Sequence, residues 1–197
     1  MNISFRTSRR KQRIKDVISA RQRDLTLVLN NIHDPHNVSA ILRSCDALGV
    51  PWVHLLYTDQ EFPEMGSKTS ASARKWVGRI KHGSAREMVE QLGSQGLNLI
   101  KTGFGDKAAA LHEYDFTMPT AVILGNEHSG IQDDLQKMVE QEIYIPMRGM
   151  VQSLNVSVAA AIILYEALNQ RRRAGLLLEK SFSESEQDKM YHEWLEK

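Results

Sequence analysis

Residues 143 to 166, IYIPMRGMVQSLNVSVAAAIILYE, join a short apolar run to a long apolar helix through a polar loop. Ile143, Tyr144 and Ile145 are β-branched or aromatic and predict a buried strand; Pro146 removes a ladder donor and ends it. Gly149 allows backbone angles that other residues avoid. Ser153 and Asn155 are capping types placed just before Val156, Val158, Ala159, Ile162 and Ile163, so a helix is predicted to start there. Its first amides point back into the loop, which suits a polar ligand. Gln152, Ser153 and Asn155 stand beside Leu154 and Val156, and polar groups entering a core need partners or a ligand. The alternative is a plain strand, connection and core helix.

Working outward, the same alternation repeats. Leu25 to Leu29 is a short apolar run closed by Asn30 and Asn31, the pattern of a parallel strand buried on both faces. The loop from Ile32 to Asn37 follows. Asn37 is read as the cap of a helix with Val38, Ile41, Leu42, Cys45 and Leu48 in its core stripe and Gly49 as terminator. Arg43 falls outside that stripe and faces solvent or a site. Further strands are predicted at Pro51 to Tyr57, Trp76 to Ile80, Leu97 to Thr102 and Thr120 to Leu124. Ser84 with Glu87 is a capping-box signature for a helix through Leu92, and Ile131, Leu135, Met138 and Val139 form another helical stripe. Strands alternating with helices give an α/β class: a mostly parallel sheet flanked by helices. In such sheets ligands bind beyond the carboxyl ends of strands, so the loops 33–37, 125–130 and 146–155 are the candidate site.

The 197 residues suit one domain with flanking pieces, and 25 Lys and Arg against 24 Asp and Glu leave a formal charge of +1. Its distribution carries more information. Residues 1–23 hold eight basic residues, among them Arg9, Arg10, Lys11 and Arg13, against Asp16 alone. They are read as a basic helical arm that docks weakly or folds on binding. Arg171, Arg172 and Arg173 follow the long helix, and residues 179–197 form an acidic tail expected to be solvated. Two arginine clusters around one domain, 24–178, make a phosphate-backbone partner, hence RNA, a live reading beside that of a solvated face. A single cysteine, Cys45, excludes an internal disulfide and a four-cysteine zinc site and fits the cytoplasm. No run reaches the roughly twenty apolar residues of a membrane span.

Two patterns invite other chemistry. Gly103, Gly105 and Ala108 spell G-x-G-x-x-A after a strand, with Glu127 about twenty residues on, as in a dinucleotide site of a nicotinamide oxidoreductase. The segment after it is short and broken by Tyr114, Asp115 and Phe116, so the glycines read better as a turn or a close approach to another nucleoside. His33 and His36 flank Asp34 and Pro35, and the proline spoils a helical ligand face, so no metal is expected. Neither a P-loop nor a G-x-S-x-G elbow occurs.

Taken together, NIHDPHNVSAILRSCDALG, ILGNEHSGI and IPMRGMVQSLNVSVAAAIILYE resemble motifs 1, 2 and 3 of the SpoU branch of the SPOUT RNA 2′-O-methyltransferases, in the right order within residues 25–175. A short basic helix in place of an added RNA-binding domain is similar to the TrmH group, which methylates a guanosine of the tRNA D-loop, guanosine 18. The resemblance implies a C-terminal trefoil knot, bent S-adenosylmethionine held by the knotted loops, and a homodimer whose sites use both chains. It implies cofactor contacts at Thr102, Gly125, Ile145 and Leu154, with Met147 and Gly149 nearby, and a catalytic set of Asn37, Arg43, Glu127, Ser153 and Asn155. Arg9, Arg10, Lys11, Arg13, Arg171 and Arg172 would meet the RNA. The family gives Arg43 the role of base, which sits badly with a guanidinium that stays protonated. Our reading is that Arg43 clamps the phosphate beside the target ribose, with that phosphate as proton acceptor. Glu127 would hold Arg43 or the loop, and Ser153 and Asn155 would fix the loop at the methyl donor. Methylation of ribosomal RNA or another tRNA position, and a non-catalytic RNA-binding module, remain open alternatives.

Overall fold

The structure is a computed structural model that describes residues 7–58, 61–63, 73–126 and 129–197. Among the described residues, seven strands run in chain order as β1 (Leu25–Asn30), β2 (Trp52–Leu56), β3 (Gly78–His82), β4 (Asn98–Thr102), β5 (Ala109–Ala110), β6 (Thr120–Leu124) and β7 (Glu142–Tyr144). They form one sheet in the order β3-β2-β1-β6-β4-β7-β5, and every pairing between them is parallel. The helices are α1 (Ser8–Ser19), α2 (Pro35–Ala47), α3 (Ala73–Trp76), α4 (Ala85–Ser94), α5 (Asp133–Met138), α6 (Val156–Arg173) and α7 (Glu184–Glu196).

The central strands decide the layering. On β1, Leu25, Leu27 and Leu29 point into one core with Val38, Ile41 and Leu42 of α2 and Ile163 and Leu164 of α6. Val28 points to the other, against Met88 and Leu92 of α4 and Leu135 of α5. β6 divides its residues the same way, with Val122 and Leu124 on the first side and Ala121 and Ile123 on the second. Strands covered on both faces carry continuous apolar runs, and these two are the runs that the sequence makes plainest. Cys45 lies wholly in the first core, where burial pushes its thiol well above the usual range and keeps it protonated.

Several boundaries differ from the sequence reading. Asp34, not Asn37, caps α2: its Oδ1 accepts from the amide of His36 at 2.8 Å, and Pro35 takes the first helical position, where a missing donor costs nothing. The third strand begins at Gly78 because Trp76 ends α3 and packs on Trp194, ring centroids 4.9 Å apart.

The flanking segments are corrected more strongly. The tail is not a solvated run, since Trp194 and Leu195 of α7 close over Ile14 and Ile18 of α1 to form a small third core. Ser183 caps α7 and exchanges hydrogen bonds with Glu186. Arg23 pairs with Glu186 at 2.7 Å. The arm and the tail are therefore two halves of one clasp, with Arg9 and Arg13 exposed on it and Arg10 and Lys11 half-buried.

Arg171 is a second correction, because it cannot meet RNA where it stands. It is 2% exposed, paired with Asp24 at 2.5 Å, and donates to the carbonyls of Phe116 at 2.8 Å and Met118 at 3.1 Å. It fastens the end of α6 to the start of β1 and to the loop before β6. Arg172, one residue on, is exposed. Removing the buried guanidinium leaves the carbonyls of Phe116 and Met118 without their donor, while the Asp24 carboxylate, 41% exposed, can turn to water. Arg171→Ala is therefore expected to lower unfolding free energy by about 1–3 kcal/mol in urea titrations, whereas Arg172→Ala should stay within about 0.5 kcal/mol of the parent.

Candidate active site

All-parallel pairing brings the carboxyl ends of β4, β6 and β7 to one edge, where the segments 102–104, 125–126 with 130–131, and 145–154 meet. Between them lies a cleft of about 250 Å³. Thr102, Gly103 and Phe104 line it from β4, Gly125, Asn126, Gly130 and Ile131 from β6, and Ile145, Met147, Ser153 and Leu154 from the loop after β7. Val156, Ala159 and Ile163 of α6 close its floor. The walls are apolar with backbone amides and carbonyls between them. Among the described residues the lining holds no Lys, Arg, Asp or Glu.

Close packing explains the glycines. A Cβ on Gly125 would lie 2.5 Å from the carbonyl carbon of Gly130 and 2.8 Å from Cγ1 of Ile131, so the loop after β6 can fold back over the strand end only on glycine. The loop is closed by mutual hydrogen bonds between Asn126 and Gly130, at 2.8 and 2.9 Å. Gly103 and Gly105 serve a different neighbour. The Glu142 carboxylate folds over them, accepting from the Gly105 amide at 3.1 Å, and a Cβ on Gly103 would lie 1.8 Å from Glu142 Oε1. The G-x-G-x-x-A pattern thus makes room for a side chain of β7 rather than for a pyrophosphate.

The structure joins two of the expected catalytic residues. Asn155 caps α6, its Oδ1 accepting from the amide and hydroxyl of Ser157 at 2.9 and 2.6 Å, while its Nδ2 donates to Asn37 Oδ1 at 2.9 Å. Asn37, buried in the first turn of α2, therefore ties that helix to the start of α6. Ser153 lines the cleft beside them, exposed, as are Gln152 and Asn155, so these polar groups are not buried in a core. Arg43 is exposed on α2 nearly two turns beyond Asn37 and outside the cleft lining. Of the expected cofactor contacts, Thr102, Gly125, Ile145, Met147 and Leu154 surround the cleft, and Gly149 stands outside its lining, exposed. The Thr102 hydroxyl is engaged with the Ile123 carbonyl at 3.1 Å, so Thr102 contributes shape more than a free donor. Glu127 lies outside the described residues. Phe104 and Tyr144, which no sequence motif marks, also line the cleft, their ring centroids 6.4 Å apart. Their one signal in the sequence is an aromatic residue directly beside a strand end. Among the described residues no group of three His, Cys, Asp or Glu is gathered to hold a metal ion.

The sequence profile described as the SpoU rRNA Methylase family matches residues 24–165. The chain belongs to that family. It is 42% identical over 192 residues to the tRNA (guanosine(18)-2'-O)-methyltransferase of Thermus thermophilus, covering 98% of each chain. Among solved structures it resembles the TrmH/SpoU tRNA modifying enzyme of Aquifex aeolicus, with a TM-score of 0.88 and 34% identity over 95% of both chains. It also resembles the SpoU methyltransferase AviRb of Streptomyces viridochromogenes in complex with AdoMet, with a TM-score of 0.69 and 26% identity, covering 80% of this chain and 64% of that one. The SpoU match takes in β1 through most of α6, and so every segment that lines the cleft.

Because Gly125 has no room for a methyl group, Gly125→Ala should force the loop outward or unfold the strand end. The expected cost is about 1–3 kcal/mol, read as a lower melting temperature, with Gly149→Ala, where nothing lies within 4 Å of an added Cβ, as the neutral control.

Proposed function

We propose that this chain transfers the methyl group of S-adenosylmethionine to the 2′-hydroxyl of a tRNA ribose, that of guanosine 18 in the D-loop. The observation that carries the reading is the cleft itself. It is built from the segments after β4, β6 and β7, in a chain that aligns nearly end to end with a relative named for that reaction. Its residues fit the cofactor. Narrow apolar walls suit an adenine ring and a methionine chain, and Phe104 and Tyr144 offer aromatic faces that favour a cation. A lining without Lys or Arg does not repel a sulfonium.

Bound S-adenosylmethionine supplies an electrophilic methyl on a sulfonium that departs as a neutral thioether. What the protein must add is position and a destination for the 2′-hydroxyl proton. The Asn37–Asn155 pair fixes the start of α6, and with it Ser153 and Leu154, at the mouth of the cleft. Arg43 clamps the phosphate next to the target ribose, and that phosphate takes the proton. Ile145, Met147 and Leu154 hold the adenosine and methionine parts, Gly149 shapes the loop outside them, and Glu127 steadies Arg43 or the loop.

The reading includes a second copy of the chain. Val158, Ile162 and Tyr165 are exposed along α6, an apolar face suited to an isologous partner that brings its own residues to the site. It also includes the trefoil knot, in which the segment 145–155 passes beside 103–108 after β7 enters between β4 and β5. The chain is divided into an RNA-gripping arm at 1–23, a methyltransferase domain at 24–178 and a tail at 179–197 that supports the arm. Among the described residues no helix is long and apolar enough to cross a membrane, and a cytoplasmic setting with tRNA at hand follows from the proposed substrate.

Incubation with methyl-labelled S-adenosylmethionine and unmodified tRNA transcript should yield one 2′-O-methylguanosine at position 18 by mass spectrometry. Methylation confined to ribosomal RNA would replace the substrate, and RNA binding without transfer would overturn the enzyme reading. Arg43→Lys, which keeps the charge and loses the forked geometry, should retain activity at about a hundredfold lower kcat. Activity equal to the parent would remove Arg43 from the mechanism.

The arm carries a separate prediction. Replacing Arg9, Arg10, Lys11 and Arg13 with alanine should weaken tRNA binding and reduce the slope of log affinity against log salt by about 0.7–0.9 for each phosphate no longer neutralised, with S-adenosylmethionine affinity spared. An unchanged slope would make the arm a solvated surface only.

A further inference from the structure

Asn30 is the last residue of β1, between β2 and β6, and it is fully buried in a strand otherwise made of leucine, threonine and valine. A carboxamide there is costly unless its groups are bonded, and a leucine would continue the pattern. Two of its bonds run to one residue of the cofactor loop, and a further one goes from Nδ2 to the Leu56 carbonyl of β2 at 3.4 Å. Asn30 Oδ1 accepts from the backbone amide of Gln132 at 3.1 Å, and Asn30 Nδ2 donates to Gln132 Oε1 at 2.7 Å. Gln132 passes the connection on, its Nε2 donating to Thr58 Oγ1 just past the end of β2, at 2.5 Å.

The next residue repeats the device at the other end of the loop. Asn31 adopts φ of 50°, a left-handed conformation that asparagine tolerates, and its carbonyl accepts from Asn126 Nδ2 at 2.6 Å. The Asn31 side chain accepts from the amide of Thr58 at 3.1 Å. The loop after β6 is thus pinned at Asn126 by Asn31 and at Gln132 by Asn30, with Gly130 and Ile131, two walls of the cleft, between the pins. Gly130 sits where a Cβ on Gly125 would strike it, and both line the cleft, so a displacement of the loop changes the width of the cleft.

We propose that Asn30 and Gln132 form an amide latch that positions the β6 loop for S-adenosylmethionine, making both positioning residues of the reaction. The inference rests on the cofactor reading of the cleft given above. Neither residue lines the cleft, so each acts through Gly130 and Ile131. A residue that merely filled the core would change melting temperature and leave cofactor affinity per folded molecule alone. Gln132 is only half-buried, at the start of α5, so its truncation is compatible with folding.

The test compares Gln132→Ala, Gln132→Glu and the parent by calorimetry with S-adenosylmethionine on the full chain, beside thermal melting and tRNA binding without cofactor. Gln132→Ala should raise the Kd for S-adenosylmethionine about tenfold, with tRNA affinity unchanged and the protein folded at the assay temperature. Gln132→Glu keeps an acceptor for Asn30 and lets the Thr58 hydroxyl donate in turn, so it should recover most of the lost affinity. Asn30→Ala should show the same loss, and the double variant should be no worse than Asn30→Ala alone. Parent-like affinity in Gln132→Ala, or a loss in both Gln132 variants that matches the unfolded fraction, would overturn the latch. If Asn30→Ala does not fold, the two Gln132 variants decide the matter alone. A parent chain that fails to bind S-adenosylmethionine overturns the cofactor reading, and the latch with it; a parent that binds while Gln132→Ala binds equally well overturns the latch alone.

Discussion

Parallel pairing between all seven described strands is the constraint from which the rest of this molecule follows. Each strand of the sheet must be re-entered from the same end, so a helix or long segment crosses back between most pairs, and the carboxyl ends of all the strands open onto one edge. The central strands are covered on both faces and have no surface left for chemistry. Function is confined to the edge, in the loops that leave it. Those loops must turn tightly against one another, which is why Gly125 and Gly103 stand where a β-carbon would collide with Gly130 or Glu142. Amides make most of the cross-links between these distant segments, through Asn30, Asn31, Asn37, Asn126, Gln132 and Asn155, and the Glu142 carboxylate holds the loop at Gly105.

Much of this was legible from residue order. β1 and β6 appear as apolar runs because strands buried on both faces cannot alternate, and the loop between β7 and α6 announced itself by polar residues ahead of an apolar helix. What could not be read depends on contacts across the chain. Three arginines in a row look like one patch, yet helical rotation carries Arg171 inward to Asp24 and leaves Arg172 on the surface. The glycines at 103 and 105 resemble a nucleotide signature until Glu142, nearly forty residues later, is seen lying over them. The Asn37 side chain reads as a helix cap when Asp34 is taken for a loop residue; once Asp34 caps α2, the Asn37 amide is left to meet Asn155. Phe104 and Tyr144 carry no pattern of their own and join the cleft only because β4 and β7 are neighbours.

Two buried arginines bound the domain in a similar manner. Arg21, between α1 and β1, donates to the carbonyls of Asp46 and Val50 and pairs with the Asp46 side chain; Arg171, at the end of α6, does the equivalent with Asp24 and the loop before β6. A guanidinium offers five donors in a fixed plane, enough to gather several carbonyls where irregular segments meet. Both sit where the chain enters or leaves the sheet domain, and both hold backbone that no regular ladder satisfies.

The clasp between α1 and α7 has a consequence for how the molecule comes into being. Ile14 and Ile18 precede the whole sheet domain in the chain, while Trp194 and Leu195, which cover them, are made after it. Until α7 is made, the apolar stripe of the arm lacks the cover of Trp194 and Leu195. It reaches its final packing only when α7 arrives, so the sheet can be completed before the arm is covered.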